Sequence, residues 1–226
     1  MLCSHSKRFL YFKTKKTAGT SVEIYFEPHC LPPGSWRPEH ARAETVSAHG
    51  IIGSRMGGRS GTDVWFNHMP AALVREHIGH EIFNAYYKFC VIRNPYDKMV
   101  SRFWWNLRHC EDERQELLAA PFAAVTARFR KFLLFGTQRF ADDRDVYSIA
   151  GKPVMDRFIR YECLHEDLQT VCADLDVPYA PERLGTYKSG FNTRTEHFSE
   201  YYDLPSRQRI ESEFDWEIER FGYRPE

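Results

Sequence analysis

The chain has 226 residues, which is enough for one sizeable core and does not require a second domain. With 42% hydrophobic and 15% aromatic residues, its composition is ordinary for a globular enzyme and argues against extended disorder. Lys plus Arg equals Asp plus Glu at 31 each, which argues against a polyanion binder that depends on bulk positive charge. We therefore predict a single domain over residues 1–226 and no nucleic-acid partner.

Membrane-spanning and targeting segments are not expected. The longest run of apolar residues and proline, 117–125, has nine residues, whereas a spanning helix needs about 20. The N-terminal residues lead directly into a predicted strand, without the apolar stretch of a secretory signal. The six cysteines show no C-x-x-C spacing, which favours reduced thiols over a zinc cluster or a redox pair. These features predict a cytoplasmic protein, although a removed N-terminal anchor would leave the same pattern.

The N-terminal part of the chain predicts a strand, a loop and a helix. Arg8–Lys13 is a short, aromatic-rich run typical of a buried strand, and Thr20–Phe26 has helical character until Pro28 ends it. Gly53–Gly61 holds four glycines and two arginines, and we expect this loop to be mobile. Residues 64–66 are a candidate second strand.

The middle of the chain repeats the same order of elements. Ala71–Tyr87 predicts two short helices separated at Gly79, and Phe89–Ile92 is a continuous apolar run typical of a central strand. Pro95 then stands where the first turn of a helix tolerates proline. Further predictions are helices over 111–134 with a break at Pro121, a strand over 154–161, and helices over 164–175 and 205–221. This alternation predicts an α/β fold with a central parallel sheet flanked by helices, and ligands at the carboxyl ends of the strands.

The loop after the first strand, FKTKKTAGTS over Phe12–Ser21, is rich in lysine and small residues. A nucleoside triphosphate loop has the form G-x-x-x-x-G-K-[ST], but Leu10 and Lys15 stand where the two glycines would precede Lys16-Thr17. Backbone N–H groups of Ala18–Ser21, at a helix N-terminus, can still bind a tetrahedral anion. We therefore predict an anion-binding loop, with a merely solvated basic loop as the alternative.

A second anion-binding position is predicted after the central strand. Arg93 leaves the carboxyl end of that strand, and Ser101 follows eight residues later, beside the apolar stripe of the next helix. A guanidinium fork and a hydroxyl group suit a phosphate. An Arg-Asn-Pro turn alone is weak evidence, since such turns often only terminate strands.

Together, KTKKTAGTS and FCVIRNPYDKMVSRF resemble the two nucleotide-binding signatures of sulfotransferases that use 3′-phosphoadenosine 5′-phosphosulfate (PAPS). The resemblance is strongest to the carbohydrate sulfotransferase branch and covers most of the chain. It implies a three-layer fold like that of P-loop NTPases, with a central parallel sheet. It also implies an enzyme that transfers a sulfuryl group from PAPS to a hydroxyl of a carbohydrate or small molecule. The product is then adenosine 3′,5′-bisphosphate (PAP), and no metal is implied.

The resemblance also implies roles for individual residues. Lys16 matches the catalytic lysine of the family, and Arg93 and Ser101 match the pair that binds the 3′-phosphate. The residues that would bind the 5′-phosphosulfate are Lys16, Thr17, Ala18, Gly19, Thr20 and Ser21. Lys188 and Arg194, in the loop over 187–198, are candidate contacts to the adenine or the 3′-phosphate, with simple solvation as the alternative.

A base is needed to take the proton of the acceptor hydroxyl, and histidine is the usual choice near neutral pH. His68, in WFNHMP, lies between a predicted strand and a helix, as the base of the family often does. His49, in SAHG, is the alternative, and either histidine could instead make a structural hydrogen bond.

Two other functions remain open. One is a nucleotide-binding or scaffold protein that has the same fold and no catalysis. The other, which we favour less, is a small kinase that requires magnesium and ATP.

Overall fold

The computed structural model describes residues 1–56, 63–136, 140, 143–187 and 190–226. Its strands are β1 (Leu2–Ser4), β2 (Phe9–Phe12), β3 (Thr45–Ser47), β4 (Gly50–Ile52), β5 (Tyr87–Ile92), β6 (Ser148–Ile149), β7 (Lys152–Pro153) and β8 (Arg157–Arg160). Its helices are α1 (Gly19–Phe26), α2 (Ala71–Ile78), α3 (His80–Ala85), α4 (Pro95–Asn106), α5 (Glu111–Ala119), α6 (Phe122–Phe135), α7 (Arg144–Tyr147), α8 (Leu164–Asp174), α9 (Leu204–Glu213) and α10 (Asp215–Phe221).

The chain divides into two compact units. The first consists of Met1–Ile92 and Asp143–Tyr187, and the second consists of Arg93–Asp142 and Lys188–Glu226. We call them the sheet unit and the helical unit. That the whole chain acts as a single domain stays a prediction.

The sheet unit contains a six-stranded mixed sheet in the order β3-β4-β1-β2-β5-β8. Strands β2, β5 and β8 are parallel neighbours, whereas β1 is antiparallel to β2 and β4, and β3 is antiparallel to β4. The predicted parallel sheet is therefore confirmed for three strands and wrong for the other three. Its error has a simple cause: residues 5–8 and 48–49 are too short for the crossover that parallel neighbours need, so they can only close hairpins.

Aromatic residues form the centre of the sheet unit. Phe26 of α1 makes edge contacts with Phe9 of β2 and Phe89 of β5, with ring centroids 5.4 and 5.1 Å apart. All three side chains are fully buried, and every residue of α1 is buried. Packing of this density holds α1 in one position on the sheet, which fixes both ends of the loop that joins β2 to α1.

The helical unit has a core of its own. Its helix α4 begins at Pro95, after the Asn94 side chain accepts a hydrogen bond from the Tyr96 N–H at 3.1 Å, so the predicted start of this helix is confirmed. Phe103 of α4 packs edge-on against Phe129 of α6 with centroids 5.5 Å apart.

Other predicted elements have mixed outcomes. The break at Pro121 is confirmed, because α5 ends at Ala119 and α6 begins at Phe122. The helix predicted over 205–221 is in fact two helices that meet at Phe214. The strand predicted over 64–66 is reduced to an isolated bridge between Ser54 and Phe66. Within the described ranges, no helix combines the length and the apolar character needed to cross a membrane.

The glycine-rich segment predicted to be mobile is described only at its start. Gly53, Ser54 and Arg55 donate backbone hydrogen bonds to Met1, Trp65 and Arg42, at 2.9, 2.8 and 2.7 Å. Residues 57–61 lie outside the described residues, so their mobility stays a prediction.

Candidate functional site

The lysine loop, which we define as Lys13–Gly19, has a special backbone. Lys16 and Ala18 adopt left-handed conformations with φ of 60° and 57°. Each costs a residue with a Cβ roughly 1 kcal/mol or more, so the surrounding structure must hold them there. Left-handed residues that alternate along a loop turn successive backbone N–H groups towards one side, which is how anion-binding nests are built. The N-terminus of α1 follows directly, at Gly19.

Gly19 is required because the loop passes very close to its Cα. A Cβ at this position would lie 2.9 Å from Lys13 Cγ and 3.1 Å from the Thr14 carbonyl oxygen. A backbone carbonyl cannot move as easily as a side chain, so any larger residue would push the loop away from α1. This close approach explains why a glycine stands at position 19, after Lys16, in this chain.

Two threonines attach the loop to the neighbouring strand. Thr14 Oγ1 donates a hydrogen bond to the Val91 carbonyl of β5 and lies 2.7 Å from Thr17 Oγ1. Since the Thr14 proton is used on Val91, Thr17 is the donor in the second bond. Both side chains are buried. The hydroxyl of Thr17 is therefore engaged inside the protein, and its backbone N–H is the candidate contact to an anion.

The three lysines of the loop have different environments. Lys13 is buried and bonds Glu23 Oε2 at 2.7 Å and Asn67 Oδ1 at 3.2 Å. Lys15 is half-buried and lies 3.7 Å from a carboxylate oxygen of Asp143. Lys16 is half-buried as well and carries the left-handed backbone. Lys13 thus makes buried contacts within the protein, whereas Lys15 and Lys16 lie at the protein surface.

Glu23 on α1 is the buried counter-ion of this region. It bonds Lys13, and Arg55 Nη1 approaches it at 3.2 Å while also bonding Glu27. Burial by itself would raise the pKa of Glu23, but the neighbouring cations, Lys13 first, lower it from 4.5 to about 2. Glu23 is therefore ionised at neutral pH and holds the side chain of Lys13 against α1.

His68 lies beside the lysine loop, as the sequence predicts for a base. Its Nδ1 lies 3.0 Å from the carbonyl oxygen of Lys13. A carbonyl can only accept, so Nδ1 carries the proton and Nε2 keeps its lone pair. The pKa of His68 is lowered to about 4, chiefly by burial. The charge of Asp143 raises this pKa, whereas the charges of Lys13 and Lys15 lower it further. The ring is thus neutral above about pH 5, and the lone pair of Nε2 is the one that can accept a proton.

The alternative base, His49, lies at the opposite end of the strands from the lysine loop. His49 directly precedes Gly50, the first residue of β4. Through Ser4 of β1, Gly50 is level with Phe9, the first residue of β2. The lysine loop instead follows Phe12, the last residue of that strand. The side chain of His49 is exposed at this far end of the strands. Of the two candidates, only His68 lies beside the loop.

Sequence reasoning missed Asp143. Its carboxylate is buried and accepts a hydrogen bond from the backbone N–H of Lys15 at 2.9 Å. A single acidic residue 128 positions from its partner carries no sequence signal, and only the fold brings the two together.

Thr20 and Ser21, the remaining loop candidates, lie in the first turn of α1. Both are buried, with 7% and 5% of their surface exposed. Helix α1 begins without a side-chain cap at Ala18, so its first N–H groups are not satisfied by that residue. These N–H groups and the lysine loop together have the chemistry of a receptor for a tetrahedral anion.

The predicted 3′-phosphate pair belongs to the helical unit. Arg93 Nε donates to Asp97 Oδ2, in the first turn of α4, at 2.7 Å. Ser101 lies further along α4 and is half-buried. Both residues are therefore held on one rigid helix and the turn that starts it.

The two candidates from the C-terminal loop have different outcomes. Lys188 lies outside the described residues. Arg194 bonds Glu196 and also donates to the Leu118 and Ala120 carbonyls at 3.0 Å each. These carbonyls end α5, where backbone acceptors lack helical partners. This geometry favours a structural role for Arg194, and a contact to the nucleotide stays a prediction.

Comparisons with known proteins give little further information. No protein-family model and no solved structure matches the chain significantly. The chain is similar to an uncharacterized protein of Archaeoglobus fulgidus, with 29% identity over 114 residues that cover 49% of this chain and 84% of that protein. In the part of the chain that the structure describes, no group of three or more His, Cys, Asp and Glu side chains has the arrangement of a metal site.

Proposed function

We propose that this chain is a PAPS-dependent sulfotransferase that acts on a hydroxyl of a carbohydrate or small molecule. The observation that carries the proposal is the lysine loop, in which left-handed Lys16 and Ala18 and the close approach at Gly19 support an anion-binding role. Parallel strands β2, β5 and β8 under this loop support the further proposal that the fold is related to that of P-loop NTPases.

The chemistry requires one bond to form and one to break. The acceptor oxygen attacks the sulfur, the bond from sulfur to the bridging oxygen breaks, and PAP leaves with the electron pair. Lys16 stabilises the negative charge that develops on the bridging oxygen. Because this charge is larger in the transition state than in the ground state, the interaction with Lys16 lowers the barrier. His68 Nε2 takes the proton of the acceptor hydroxyl. The negative charge of a bound donor favours the protonated form of His68 and so opposes the burial that lowers its pKa, which would make it a better base when the donor is present.

Assignment of the 3′-phosphate to Arg93 and Ser101 rests on the sequence resemblance. The same is true of Lys188 and Arg194 as nucleotide contacts. For Arg194 the proposed contact to the nucleotide competes with a structural role, because its guanidinium already bonds Glu196 and the end of α5.

A magnesium-dependent kinase is disfavoured by one specific observation. In a nucleoside triphosphate loop the hydroxyl after the lysine ligates Mg²⁺. The corresponding hydroxyl here is that of Thr17, which is buried and bonded to Thr14 at 2.7 Å. A ligand without a metal therefore fits this loop better than magnesium and ATP.

The proposal is tested first by ligand preference. At ~100 times its Kd, PAP should raise the melting temperature by roughly 5–10 °C. ADP, and ATP with magnesium, should do much less at the same concentration, because they offer no 3′-phosphate. Equal shifts for all three would contradict the proposal.

Catalysis is tested with labelled PAPS and a panel of hydroxyl acceptors. Lys16→Ala should lower turnover about 100-fold or more while PAP still binds. Lys152→Ala, at an exposed lysine of β7, is the matched control and should have no effect. PAP binding without sulfuryl transfer to any acceptor would favour the inactive nucleotide-binding protein instead.

A further inference from the structure

Asp143 binds both ends of one residue of the lysine loop. Its Oδ2 accepts the Lys15 N–H at 2.9 Å, and its Oδ1 lies 3.7 Å from Lys15 Nζ. Its own carbonyl accepts the Val146 N–H at 2.7 Å in the turn that opens α7. The carboxylate is 1% exposed. Asp143 is therefore fixed by its backbone, and from a buried position its carboxylate contacts both the backbone N–H and the Nζ of Lys15. We call this pair of contacts the clasp.

This clasp bears directly on Lys16. The Lys15 N–H belongs to the peptide between Thr14 and Lys15, and the Thr14 hydroxyl is bonded to Val91 of β5. One bond thus holds that peptide directly and the other holds the side chain of Thr14, just before the left-handed residue at Lys16. A strained residue persists only where its surroundings determine its conformation. Asp143 supplies one of those determinants from outside the loop.

The charge of Asp143 also acts on His68. The charged groups that influence this ring are Lys13 and Lys15, which disfavour its protonated form, and Asp143, which favours it. With Lys15 beside it, Asp143 offsets the positive charge of the loop near the proposed base.

We propose that Asp143 is a positioning residue of this site, whose carboxylate holds the lysine loop through Lys15 and stabilises the His68 cation that forms when the base takes its proton. The second half of this statement rests on the proposed function. The first half concerns the loop alone and stands without it.

Two substitutions separate the hydrogen bond from the charge. Asp143→Asn keeps an oxygen acceptor for the Lys15 N–H and removes the charge, whereas Asp143→Ala removes both. Asp156 provides a more exposed control, because its Oδ2 contacts both the N–H and the Nζ of Lys88, at 2.7 and 3.0 Å. Lys88 lies near the start of β5, away from the carboxyl end of the strand.

The loop is tested by amide hydrogen exchange and by PAP titration. Exchange at Lys15 should be slow in the wild type, fast in Asp143→Ala and intermediate in Asp143→Asn. PAP affinity should fall roughly tenfold or more in Asp143→Ala, and by less than about threefold in Asp143→Asn and Asp156→Ala. Unchanged exchange and affinity in both Asp143 variants, or tighter PAP binding through lost repulsion, would overturn the proposal.

The charge is tested by NMR titration of His68 in the PAP complex and by steady-state kinetics. Asp143→Asn should lower the pKa of His68 and reduce kcat about tenfold or more with little change in KM for PAPS. An unchanged pKa would overturn the charge effect. If the wild type neither prefers PAP nor transfers sulfate, the proposed function fails, while Lys15 exchange still decides the positioning role. Asp143→Asn serves this purpose if Asp143→Ala does not fold.

Discussion

Replacing Glu23 by Gln should strongly destabilise the sheet unit at neutral pH. Glu23 is fully buried and accepts from Lys13 at 2.7 Å and from Arg55 at 3.2 Å. Gln keeps the shape and removes the charge, so the buried ammonium of Lys13 loses the carboxylate that it bonds at 2.7 Å. Breaking a buried ion pair from one side costs about 3–5 kcal/mol, because the remaining charge cannot be solvated.

The pKa of Glu23 gives a second measure of the same effect. A fall from 4.5 to about 2 corresponds to a contribution on the order of 3 kcal/mol to the free energy of unfolding. Because the pKa is lowered in the folded state, this contribution is complete above about pH 5 and is lost as the pH falls from there towards 2. The difference between wild type and Glu23→Gln should therefore narrow below about pH 5.

Denaturant and thermal unfolding, followed at several pH values, measure both effects. At pH 7 the loss of 3–5 kcal/mol should appear as a fall in melting temperature of roughly 6–20 °C. Glu113→Gln is the matched control, since it breaks an exposed pair with Arg128 at 2.8 Å and should cost at most about 1 kcal/mol. A Glu23→Gln variant no less stable than Glu113→Gln, or a difference that does not change with pH, would refute this reasoning.

Three further outcomes are expected. Gly19→Ala should weaken PAP binding about tenfold or more, because its Cβ would lie 2.9 Å from Lys13 Cγ, and unchanged affinity by calorimetry would contradict this clash. His68→Gln should lower kcat about 100-fold with PAP affinity retained, and full activity would assign the base to another group. Arg194→Ala should lower the free energy of unfolding by about 1–3 kcal/mol through lost bonds to the end of α5, with Arg128→Ala as the exposed control. A large loss of PAP affinity at unchanged stability would instead support the nucleotide contact.

Local patterns in the sequence were enough to predict the elements that carry the site. The aromatic run before the loop predicts β2, and proline after Asn94 predicts the start of α4. Both depend on interactions between residues close in the chain, so no knowledge of the tertiary structure is needed. The antiparallel strands β1, β3 and β4 escaped prediction because each has only three residues, too few to show a period.

The choice among the lysines and histidines depended on the tertiary structure. In the sequence, Lys13, Lys15 and Lys16 are equivalent basic residues of one loop. Their partners differ because Asn67 and Asp143 arrive from positions 54 and 128 residues away. Likewise, His68 lies beside the loop and His49 does not because β4 runs in the same direction as β2, with His49 at its start.

The sequence by itself therefore determined that a strand, a lysine-rich loop and a helix follow one another, and that glycine comes after the lysine. Only the fold decided which lysine is buried against Glu23, which histidine contacts the loop, and that Asp143 clasps Lys15. The physical reason is that periodicity and turn preferences act over a few residues. Charge pairing and burial depend instead on which distant segments the fold brings into contact.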